Sequence, residues 1–145
     1  MNAPRQFLFA ASMAVIGFML AANSTALAQS DGSDIDCTNP QVQVEMTFCA
    51  GKDLEAADAE LNAAYREAMK RAKAMDKDGL YGPVPVADML RDAQRAWIPF
   101  RDRACEVQAA LWSNGTGASM AYLVCQTGLT EERTEGLRRF IGFPD

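Results

Sequence analysis

The sequence contains no histidine. That absence removes His-based acid–base catalysis, Ser–His and Cys–His nucleophile activation, and any zinc site with a histidine ligand. No two cysteines are spaced as a C-x-x-C pair, so the close ligand pair usual in structural zinc sites is missing too. Aromatic residues make up only 8% of the chain. Beyond residue 28 no apolar run approaches the roughly 20 residues of a membrane span. Nor does that part show the every-second-residue alternation of a half-buried strand. Catalysis resting on a carboxylate pair alone has little support, and a non-enzyme without metal or cofactor is expected.

What is present begins with a leader. Arg5 precedes Phe7 to Ala22, a stretch that is apolar apart from Ser12 and Gly17, and Ala26-Leu27-Ala28 supplies a small-x-small cleavage pattern. Residues 1–28 therefore read as a signal peptide, and the remaining 117 residues as an exported chain, periplasmic or secreted. No cysteine follows Ala28 as a lipid attachment point, so the exported chain is expected to be soluble, not a lipoprotein. All 19 acidic residues lie beyond the leader and Arg5 lies within it, which takes the net charge from −5 to −6. An acidic chain disfavours nucleic acid and anionic lipid, and fits a cationic partner.

All four cysteines, Cys37, Cys49, Cys105 and Cys125, fall in the exported part. In an oxidising compartment they read as two disulfides rather than as a four-thiolate zinc site. Residues 29–36 are polar and acidic and form a flexible tail. Residues 37–145 form the folded domain. Thr38, Asn39 and Pro40 make a helix-start signal. Apolar or small residues then recur three and four apart at Val44, Phe48, Gly51, Leu54, Ala57, Leu61, Tyr65, Ala68, Ala72 and Met75, which is one helix stripe.

The segment DKDGLYGPVP, residues 76–85, is a turn. A second stripe follows at Val86, Leu90, Ala93, Trp97, Phe100, Ala104, Val107 and Leu111, with Pro99 expected to kink it near Arg95. Ser113 to Gly117 is a second turn. The third stripe is Ala118, Tyr122, Cys125, Leu129, Leu137 and Ile141, crossed by Arg133; it is either continuous or restarted after Gly128. The fold class expected is all-α, an antiparallel up-down-up three-helix bundle.

Cys105 and Cys125 each lie ten residues from Gly115, so an antiparallel helix pair sets them level and pairs them. Cys37 and Cys49 are partners by elimination. On a straight helix they would stand roughly 18 Å apart, well beyond disulfide reach. Either Cys37 precedes the helix in a segment folded back along it, or the helix bends before Gly51.

Taken in order, C-T-N-P-Q-V-Q-V-E-M-T-F-C-A from Cys37, A-D-A-E-L-N-A-A-Y from Ala57, L-R-D-A-Q-R-A-W-I-P-F-R-D-R-A-C from Leu90, and L-T-E-E-R-T-E-G-L from Leu129 resemble the LprI-type lysozyme inhibitor family of small exported bacterial domains. The resemblance implies a disulfide-bonded helical domain of the cell envelope that binds and inhibits lysozyme or another basic cell-wall hydrolase. Here the turn reads N-G-T-G and lacks the Gly-Gly-Ser that the family often shows. An acidic protein would be steered towards a basic muramidase, whose long cleft a thin bundle edge or the Ser113 to Gly117 turn would plug. The alternative is a disulfide-stapled envelope interaction module with a different protein partner and no inhibitory activity.

The candidate partner-binding residues are Asp58, Asn62, Tyr65, Arg101, Asp102, Asn114 and Gly115. Asp58, Asn62 and Tyr65 share one helix face, with bonding across to Arg95 or Arg101 as their structural role. Arg101 and Asp102 are adjacent and are not expected to pair with each other. Asn114-Gly115-Thr116 matches a glycosylation sequon but reads as turn chemistry. Glu131, Glu132 and Glu135 make a solvated acidic surface. Trp97, Phe100, Leu61 and Leu90 are expected in the core.

Overall fold

The computed structural model describes residues 35–79, 82–112 and 115–142. The leader, most of the acidic tail and Asn114 lie outside the described residues. Three helices and no strand are found among them: α1 (Gln43–Asp78), α2 (Val86–Ala110) and α3 (Ala118–Ile141). They pack as a bundle. α1 and α3 run parallel, since Gln43 reaches Met120 at one end and Glu60 reaches Arg138 further along; α2 runs back between their ends. The α1–α3 contact is the most extensive and the α1–α2 contact the least.

α1 starts later than Thr38-Asn39-Pro40 implies, and side chains bond the amides of the residues that precede it. The Asp36 carboxylate accepts from the Thr38 backbone N–H at 2.9 Å and from its hydroxyl at 2.7 Å, closing a turn ahead of the helix. Glu45 reaches back to the amides of Gln41, at 2.7 Å, and Val42, at 3.4 Å. The chain before Gln43 is therefore folded back, and Cys37 meets Cys49 with their Cα atoms 5.4 Å apart. Cys105 and Cys125 are joined with Cα atoms 5.5 Å apart.

α1 ends at Gly79, whose φ of 65° is the left-handed conformation that a side chain disfavours. Across this turn Asp76 caps the next helix, accepting from the amides of Val86 at 2.5 Å and Ala87 at 3.2 Å. α2 continues unbroken through Pro99, and α3 through Gly128. In the second turn the Trp112 ring lies over Gly117, where a Cβ would come within 2.7 Å of it.

The apolar core is Leu61, Ala64, Ala68 and Leu137, with Tyr65, Leu90, Trp97, Phe140 and Ile141 packed against it. Phe100 is not part of it: its side chain is 61% exposed. Val44, Val107 and Leu111 of the expected stripes are exposed as well. For Phe100 and Val107 the physical reason is the rotation of α2. Cys105, held to Cys125, and Arg101, paired with α1, must both face inward. Each helix residue advances about 100°, so turning Arg101 inward swings Phe100 out.

Candidate functional site

Arg101 is the centre of a polar junction between the helices, with its side chain 13% exposed. Its Nη1 donates to Asp58 Oδ1 of α1 at 3.1 Å and to Thr130 Oγ1 of α3 at 3.2 Å. Its Nε donates to Asp102 Oδ1 at 3.0 Å, and the guanidinium lies 5.2 Å from the centre of the Trp97 ring. The same Asp102 oxygen accepts from Gln126 Nε2 at 2.8 Å, and that amide also donates to the Tyr122 hydroxyl at 3.2 Å. Adjacent positions do pair here, contrary to the helix-surface rule. The flexible arginine stem folds back over the α2–α3 interface, where Gln126 fixes the carboxylate from the other side.

This junction brings together three of the residues expected from sequence, Asp58, Arg101 and Asp102. It does not gather the rest: Asn62 is exposed, Tyr65 packs on the apolar core, and Gly115 is exposed in the second turn. Arg95 pairs loosely with Asp92 at 3.9 Å and plays no part. Arg101's donors are directed at partners within the bundle, so the cluster acts as a tie between helices. A second arginine serves similarly. Arg133 donates to Gln94 at 2.9 Å, and burial lowers its pKa from the ordinary guanidinium value.

An open feature lies on the other side of α1. Its face bearing Asp53, Ala57 and Glu60 meets the α3 face bearing Glu131, Glu135 and Arg138 across a groove of about 570 Å³. Arg138 is the one cation of its lining, bonding Glu60 at 2.7 Å and Glu135 at 2.8 Å. Hydrogen bonding and attraction from Glu135, reinforced by Glu60, raise the Arg138 pKa above its ordinary value. Glu132 continues the acidic surface beside Glu131 and Glu135. The net character is anionic, and the groove is suited to basic side chains.

The sequence reading took Glu131, Glu132 and Glu135 as a solvated acidic surface and did not single out Asp53 and Glu60. Their seven-residue spacing was a signal, yet it becomes a site only when α1 and α3 lie parallel in this register. The outer face of α1 further along carries the opposite charge, with Arg66, Lys70, Lys73 and Lys77 spaced four, three and four apart. No helix among the described residues is long and apolar enough to cross a membrane.

The model of a known protein family, described as "Lysozyme inhibitor LprI", matches residues 36–137. The chain is 34% identical over 122 residues to "Uncharacterized protein R02472" of Rhizobium meliloti (strain 1021), covering 81% of this chain and 86% of that protein. It is also 35% identical over 60 residues to "Uncharacterized protein YecT" of Escherichia coli (strain K12), covering 41% of this chain and 37% of that protein. No solved structure matches.

Proposed function

The chain belongs to the LprI lysozyme inhibitor family, and from that premise we propose that it is an exported, untethered protein that binds a lysozyme-type muramidase and blocks its cleft. The family match across residues 36–137 carries the reading. The anionic groove between α1 and α3 supplies its physical form: lysozyme-type muramidases are commonly basic, and Asp53, Glu60, Glu131 and Glu135 present carboxylates to them on one side of a thin bundle. On this reading the protein is an inhibitor and performs no reaction of its own. The leader, residues 1–28, is removed on export.

Titration of the purified protein into a lysozyme cell-wall clearing assay tests this. Clearing should fall as protein is added, and the effect should weaken as salt rises because exposed charges are screened. Glu131→Lys combined with Glu135→Lys should slow association about tenfold at low salt. Unchanged clearing at micromolar excess overturns the reading. The second reading, an interaction module for another envelope protein, draws on the exposed apolar residues of α2; it requires a specific partner to co-purify while clearing stays unaffected.

A further inference from the structure

We propose that the basic partner straddles α3 at Gly128, laying cationic side chains in the α1–α3 groove and one apolar side chain in a pocket on the other side of that helix. The proposal rests on the inhibitory reading and deepens it by naming what the hydrolase must present. The pocket, of about 450 Å³, opens between α3 and the end of α2. Its apolar walls are mainly Trp112, Met120, Val124 and Leu129, and Gln108 and Glu132 are its polar groups. Trp112 and Val124 are 53 and 56% exposed. The Trp112 ring rests on Gly117, whose missing side chain makes room for it, so this wall is set before any partner arrives.

Val124, Gly128, Glu131 and Glu135 follow one another at spacings of four, three and four and form the outer ridge of α3. The apolar pocket lies on the α2 side of this ridge and the anionic groove on the α1 side. Gly128, Glu131, Glu132, Glu135 and Arg139 line the surface that joins them, three carboxylates to one guanidinium. At Gly128 the ridge falls to bare backbone. Gly128 is in mid-helix, its φ is not positive, and a Cβ built on it meets no atom within 4 Å. Neither backbone conformation nor packing among the described residues calls for glycine there, and glycine in a helix interior is less stable than alanine. A notch that costs stability and opens a path between two concave sites fits close approach by a partner.

Charge selects the occupant. Arg138 engages Glu60 and Glu135, whereas Asp53, Glu131 and Glu132 carry no ion pair among the described residues. A cation from outside therefore meets these three carboxylates without displacing Arg138. Glu132 also stands at the rim of the apolar pocket, so a basic residue belongs beside the apolar one. An anionic polymer would be repelled by the same groups. The partner surface thus carries basic side chains and, about one helix diameter or 10 Å away, one protruding apolar side chain that acts as an anchor.

Binding kinetics of the purified protein on an immobilised basic lysozyme, the enzyme of the clearing assay, test it. Val124→Gln and Gly128→Leu should each speed dissociation about tenfold while the association rate and its salt dependence stay as in the parent. Gly128→Leu should also raise the melting temperature by about 3 °C, because leucine is the better helix former, so its weaker binding cannot come from a weaker fold. Phe100→Gln, at an exposed apolar position outside the pocket, should bind as the parent does. If either Val124→Gln or Gly128→Leu dissociates at the parent's rate, the straddle is refuted while inhibition through the groove stands. A Gly128→Leu variant that melts below the parent refutes it too, since the glycine would then serve the fold. If Phe100→Gln dissociates as fast as Val124→Gln, the apolar contact lies on α2 and the proposal falls. A parent that binds no lysozyme overturns this proposal and the inhibitory reading together.

Discussion

The two halves of the bundle are built in opposite senses. In the half beyond Leu61 an apolar cluster fills the interior, where Leu61, Ala64, Ala68 and Leu137 meet Leu90 and Trp97, while Val84 and Met89 at its edge face solvent. In the half around the disulfides the interior holds Arg101, Asp58, Asp102, Gln126 and Thr130, while Val44, Phe100, Val107, Leu111 and Val124 face solvent. Two covalent staples and an ion network replace the oily core there. The difference teaches that cross-links free a small domain from burying every apolar residue it has.

The sharpest way to break this contrast is to truncate one large apolar residue in each half. Leu137 is 1% exposed and packed between helices, so Leu137→Ala should cost about 3 to 4 kcal/mol. Phe100→Ala removes a larger side chain that is 61% exposed and should cost less than about 0.5 kcal/mol. Urea unfolding of both variants decides it; comparable losses would mean that α2 is rotated differently from the arrangement described.

Removing the Cys105–Cys125 staple, which closes a loop of 20 residues, is the next largest perturbation, about 3 kcal/mol on a chain-entropy basis. The double variant Cys105→Ser, Cys125→Ser should melt well below the parent. Amide exchange should accelerate first in α2 and α3 near the cut rather than at Ala68 and Ala72. Uniform acceleration along the chain would show that the two halves open together and that their difference is architectural only.

The helices, the turns and the Cys105–Cys125 pairing were legible in the sequence, because helical periodicity and equal distances from Gly115 are local quantities. Helix rotation was not. The apolar line of α2 and the line of Gln94, Arg101 and Cys105 are neighbours on one cylinder, and the sequence pattern favours the first. What turns the second inward lies elsewhere in the chain, at Asp58, Thr130 and Cys125. The anionic groove was half legible for the same reason: Glu131 and Glu135 share a helix face, but Asp53 and Glu60 join them only through the α1–α3 register.

The ion network offers a smaller test. Arg101→Ala leaves Asp58 and Asp102 without their shared cation. Their side chains are 43% and 38% exposed, so water recovers part of the loss, and about 1 to 2 kcal/mol is expected rather than the larger cost of a fully buried broken pair. In a double-mutant cycle with Asp58→Ala, a coupling of about 1 kcal/mol is expected. A coupling near zero would make Arg101 a packing residue, held mainly through Trp97 and Thr130.

The smallest effect concerns the turn that delivers Cys37 to Cys49, and it depends on pH. Hydrogen bonds from the Thr38 hydroxyl and then from its backbone amide hold the Asp36 pKa below its usual value of 3.8. A depressed carboxylate pKa means that the folded chain binds the proton less readily than the unfolded one. Its contribution is therefore present in full above pH 3.8 and is lost as pH falls through the lowered folded value. Asp36→Ala removes both bonds at every pH, so its melting temperature should lie slightly below the parent's near neutrality, with the gap narrowing under acid. A gap that stays constant from neutral pH to about pH 2.5 would show that the Asp36 charge contributes nothing to the turn. The staple at Cys49 would then hold this end of the molecule without electrostatic help, sharpening the contrast with the half that relies on packing.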